Sequence, residues 1–105
     1  RTNTLNEQQI LKMKNFMVTH TLKSDEAMEA YFAAMETMSE ADIRGAMKNE
    51  KASFQMQWNA GKNDKTMFCW WKAESPEAIL ETLGEMGSLF DNDIKEMPNV
   101  MDFTD

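Results

Sequence analysis

The side chains able to do chemistry in this chain are few, and each stands nearly alone. His20 is the single histidine, Cys69 the single cysteine and Tyr31 the single tyrosine of 105 residues. A histidine titrates near neutrality, so His20 can anchor a ligand carboxylate or serve as a base. Tyr31 is the other group able to hold the polar end of a ligand. Cys69 becomes a nucleophile only beside a base that lowers its pKa. With no second histidine, it reads as a small buried hydrophobe. One His and one Cys without paired ligand spacing do not make a closed metal site. The thioether pairs Met35/Met38 and Met97/Met101 suggest soft-metal binding, but helical core spacing explains the first. Glu74, Glu77 and Glu81 read as a solvated helix face. Proton-transfer chemistry needs a positioned acid and base, and this inventory offers one good candidate. No catalytic residue is therefore assigned; His20 or Tyr31 would serve if the protein is an enzyme. No cofactor and no metal is expected.

The elements that must position these groups are legible from spacing. Residues 15–23 alternate as a strand, with Phe16, Val18, His20 and Leu22 on one face and Met17, Thr19 and Thr21 on the other. Ser24 caps a helix with Asp25 and Glu26 in its first turn, and Ala27, Met28, Tyr31, Phe32, Met35 and Met38 form its apolar stripe. Ser39 begins a shorter helix through Ala41, Ile43 and Met47, weakened by Gly45. Residues 51–59 and 66–73 read as a hairpin. Strict alternation puts Phe54, Met56 and Trp58 on one side and Gln55 and Gln57 on the other; which of these sides lines a cavity is left open. In the second hairpin strand Met67, Cys69 and Trp71 oppose Phe68 and Trp70, so this strand is apolar on both faces and needs cover on both. Ser75-Pro76-Glu77 starts a second main helix whose stripe is Ala78, Ile79, Leu80, Leu83 and Met86. Ser88 to Asn92 leads to a last strand over 93–97, ended by Pro98. Residues 1–14 read as a weakly held arm with a capping box at Thr4/Glu7, before a single domain over 15–105.

The order β-α-(α)-β-β-α-β predicts an α+β, ferredoxin-like βαββαβ fold. It has a four-stranded antiparallel sheet, central first and third strands, helices on one face and dimerisation through the other. Net charge of −7 and a pI near 4.7 argue against nucleic acid and anionic membrane surfaces. No apolar run is long enough to span a membrane. The lone Cys69 fits a reducing, cytoplasmic setting. Eleven methionines indicate an adaptable core or a deformable pocket.

Phe16-Met-Val-Thr-His-Thr-Leu22, the Trp-rich third strand, the Ser75-Pro76-Glu77-Ala78-Ile79 helix start and the Leu89-Phe90…Asp93-Ile94 approach give the chain its family likeness. It resembles the dimeric α+β barrel superfamily over residues 15–97, and its second half is similar to muconolactone isomerases and other small members. The resemblance implies a homodimer and, in each subunit, a cavity for an apolar molecule between sheet and helices. The haem-degrading monooxygenases of that superfamily also bring a Trp from the third strand, but their iron ligand is a His on the following helix. Residues 76–90 here contain none. The expected function is a homodimeric binder of a fatty-acid-like or aromatic ligand. The alternative is a small cofactor-independent isomerase or monooxygenase using the same cavity. The expected lining is Phe16, Val18, His20, Tyr31, Phe32, Met35, Met56, Cys69, Trp71, Leu83 and Phe90. Met17, Thr19, Phe68 and Trp70 are expected at the dimer interface, and the partners are a second copy and an apolar small molecule.

Overall fold

A computed structural model describes residues 12–61 and 63–105. Most of the expected arm, including Thr4 and Glu7, lies outside them. Four strands, β1 (Lys14–Leu22), β2 (Ala52–Asn59), β3 (Thr66–Ala73) and β4 (Phe90–Glu96), form one antiparallel sheet in the order β2-β3-β1-β4. Helices α1 (Asp25–Glu36), α2 (Glu40–Ala46) and α3 (Pro76–Leu83) connect them, and a 3₁₀ segment, Gly84–Leu89, follows α3. The molecule is α+β, and this connectivity is consistent with a ferredoxin-like arrangement.

Local chemistry sets the helix starts. The Ser24 hydroxyl accepts from the Ala27 amide at 3.0 Å, and Ser75 accepts from Ala78 at 3.2 Å with Pro76 opening the helix. At α2, Ser39 and Asp42 exchange side-chain to backbone bonds, each 3.1 Å, a complete capping box. α3 stops earlier than its apolar stripe suggests, because Gly84 turns the chain at φ +58°. Leu80, expected in the buried stripe, is 45 % exposed. The last strand begins at Phe90, three residues before the expected start at 93.

Both main helices pack on one face of the sheet. Phe16, Val18, Cys69 and Trp71 meet Ala78 and Ile79 of α3 in one buried cluster. Leu22, Met67 and Phe90 meet Tyr31 of α1 in a second, with Phe32 and Met35 packed against it. α2 contributes no buried residue. The other face carries Met17, Thr19, Phe68 and Trp70; Met17 lies opposite Trp70 and Thr19 opposite Phe68 in the β1/β3 register.

One irregularity rearranges β2. Phe54 pairs with Trp71 and Met56 with Trp70, so Gln55 is an extra residue in the ladder. A bulge of this kind shifts every later side chain to the opposite face. Phe54 stays on the helix side, whereas Met56 and Trp58 turn to the open face and Gln57 turns to the helix side opposite Cys69, where it remains exposed. The expectation that Phe54, Met56 and Trp58 share a side fails for this reason.

Candidate functional site

Between the two buried clusters lies a cavity of about 240 Å³. β1 supplies His20, β3 supplies Met67, Cys69 and Trp71, and β2 supplies Phe54 and Gln57. Tyr31 and Met35 of α1, Leu83 of α3 and Phe90 of β4 complete most of the wall. Met38, Ile43 and Met47, on and around α2, close it on the side where α2 makes only shallow contact. The space exists because α1 and α3 each pack on their own end of the sheet, leaving the middle to α2 and flexible methionines.

Of the residues expected to line it, His20, Tyr31, Met35, Cys69, Trp71, Leu83 and Phe90 do. Phe16 and Val18 are instead sealed within the α3 cluster, and Phe32 packs behind Tyr31, their rings 5.3 Å apart. Met56 lies across the sheet, 48 % exposed, because of the bulge at Gln55. Sequence reasoning missed Gln57 for the same reason.

The polar groups have defined roles. His20 is 4 % exposed. Its Nδ1 lies 2.6 Å from Oδ1 of Asn92, a residue 72 positions away that neighbours it on β4. Asn92 in turn donates from Nδ2 to the Gly87 carbonyl at 3.1 Å. That second bond orients the amide with its oxygen toward His20, so Nδ1 carries the proton and donates. Nε2 is left as a lone-pair acceptor, with no hydrogen bond among the described residues. Burial lowers the His20 pKa, and the Asn92 bond only partly opposes this. The ring is therefore neutral at pH 7 and offers an acceptor instead of the cation that anchoring a carboxylate calls for. Asn92 was missed because it falls in what the sequence reads as a connector; its only signal is a polar residue beside the start of a strand.

Burial also raises the Tyr31 hydroxyl, with Gln57 pulling the other way, and Tyr31 keeps its proton. Burial pushes the Cys69 thiol up to about 12, again against a smaller effect of Gln57. A thiol so protonated is not a nucleophile. Gln57 donates to the Met67 sulfur at 3.6 Å. Trp71 is 1 % exposed, tilted against Phe54 with ring centroids 5.3 Å apart. Its Nε1–H finds no hydrogen-bond partner among the described residues.

Among the described residues no three His, Cys, Asp or Glu side chains gather as a metal site. No helix among them is long and apolar enough to cross a membrane. No protein-family model matches the chain, and no curated protein or solved structure matches it either.

Proposed function

We propose that the protein is a homodimeric binder of a small apolar molecule, held in the cavity between the sheet and its helices. The cavity itself carries this reading. Protein interiors are close-packed, with few voids larger than a water molecule, whereas this space of about 240 Å³, largely apolar and bordered by the exposed Gln57, offers room that a guest can fill. An apolar cavity of about 150 Å³ takes up benzene. The space here suits a guest the size of two fused rings or a short acyl chain better than a long fatty acid. Methionines 35, 38, 47 and 86 in the wall let it adjust to the guest's outline.

In this reading a second copy covers the open face. Met56, Trp58 and Phe68 are 48 %, 47 % and 49 % exposed there, beside Trp70 and Met17. A contiguous apolar patch of this kind marks an interaction surface, and a two-fold contact of the patch with itself is the simplest cover. Such a dimer would resemble the dimeric α+β barrel superfamily, to which the sequence motifs are similar. A cytoplasmic location suits the lone thiol of Cys69.

Two measurements test it. Native mass spectrometry of the purified protein should find dimers and a retained small molecule. Titration with naphthalene, followed by amide NMR, should move the resonances of Tyr31, Gln57 and Cys69. Cavity resonances unmoved at naphthalene saturation would exclude the binder.

One observation favours the enzyme reading as a second choice. The Asn92 bond gives His20 the fixed tautomer that a general base requires, while Tyr31 retains a proton to give. His20→Ala should then abolish turnover of whatever guest is recovered; undiminished turnover would remove His20 from any mechanism.

A further inference from the structure

The wall of the cavity is mostly hydrocarbon, yet a purely hydrocarbon guest would leave His20 Nε2 unmet. His20 Nε2 is an acceptor whose protonation state is set from behind: Gly87 holds Asn92, and Asn92 holds Nδ1–H. The ring is buried but lines the cavity, so a partner for Nε2 comes from within that space. The Trp71 indole N–H is also without a partner among the described residues, but that atom is sealed within the packing, out of a guest's reach. Buried polar groups are nearly always paired, and leaving Nε2 unpaired costs free energy that a guest's hydroxyl recovers.

The charge of the guest follows from the same lining. No Lys or Arg lines the cavity, and His20 is neutral. A carboxylate entering it would lose its water and gain no opposite charge. The rings of Tyr31, Phe54, Trp71 and Phe90 around the space suit a flat aromatic body.

We infer that the cavity selects neutral hydroxyaromatic molecules, with the guest's O–H donating to Nε2 of His20, and rejects aromatic carboxylates. This deepens the ligand-binding reading and rests on it. The test compares 2-naphthol, 2-methoxynaphthalene, 2-naphthoate and naphthalene by NMR titration of the whole protein at neutral pH, where 2-naphthol is uncharged. A hydrogen bond to a buried acceptor predicts that 2-naphthol binds about tenfold more tightly than 2-methoxynaphthalene, and 2-naphthoate more weakly than either. His20→Phe should erase the advantage of 2-naphthol over 2-methoxynaphthalene, with the amide NMR dispersion of residues outside the cavity showing that the variant is folded. Independently of any variant, the ¹⁵N resonance of His20 Nε2 should move with 2-naphthol and stay put with 2-methoxynaphthalene. Equal affinities for the hydroxyl and methoxy compounds, or tight binding of 2-naphthoate, would overturn the inference while naphthalene binding left the cavity reading intact. If none of the four binds, both fall together.

Discussion

Trp70 and Trp71 are neighbours in the chain and live in different solvents. Trp71 points under the helices, 1 % exposed, with its indole N–H unpaired among the described residues. Trp70 points to the open face, where its N–H donates to Asn15 at 3.0 Å and the Lys72 ammonium sits 5.9 Å from the ring centroid. The buried ring is held by packing and has unused hydrogen-bonding capacity. The outer ring has its polar atom satisfied and part of its apolar surface still wet. One sheet thus presents two unmet needs of different kinds: a polar atom lacking a partner inside, and apolar area lacking cover outside.

Truncation should separate the two faces most sharply. Trp71→Ala empties the middle of the core and should cost about 3–5 kcal/mol, whereas Trp70→Ala should cost about 1–2 kcal/mol in urea denaturation of dilute protein. Equal losses would mean that the open face is as tightly built as the covered one. Next in size, Asn92→Ala removes the acceptor for His20 Nδ1–H and leaves a buried donor stranded. The expected loss is about 1–3 kcal/mol, together with a visible change of His20 tautomer by NMR; a variant as stable as the parent, with the tautomer unchanged, would show that Asn92 does not orient the ring.

A smaller effect is expected from acid. The folded-state pKa of His20 is depressed below 6.5, so between the two values the unfolded chain binds more protons than the folded one. The stabilisation from keeping His20 neutral is complete above about pH 6.5 and is lost progressively as pH falls through the lower, folded value. The groups packed about the ring, Met67 on β3 and Phe90 and Asn92 on β4, carry no charge that would offset it. The stability difference between the parent and His20→Phe should therefore shrink or reverse on going from pH 7.5 to 5.5; a constant difference would contradict the depressed pKa. Least of all should Phe68→Lys disturb the fold, by less than about 0.5 kcal/mol, while sedimentation velocity shifts toward monomer. A sedimentation profile identical to the parent's would take Phe68 out of any interface.

Much of this architecture is readable in one dimension because its causes are local. Ser24, Ser39 and Ser75 satisfy amides three residues away, and the alternation of Met67 to Trp71 needs only a regular pleat to put Cys69 and Trp71 on one side. His20, Tyr31, Cys69 and Trp71 could accordingly be placed together from strand and helix periodicity alone. The residues of β2 could not, since alternation counted through Gln55 assigns Met56 to the cavity and Gln57 away from it.

What the amino-acid sequence by itself determined, then, is the order of elements and the faces of its regular strands and helices, because those follow from steric alternation and from caps made within a single turn. Only the tertiary structure decided the reversal along β2, the tautomer of His20 and the isolation of the Trp71 N–H. Each depends on a partner brought from elsewhere in the chain: β3 sets the bulge through its register, Asn92 reaches His20 across 72 residues, and the packed sheet and helices close around the indole.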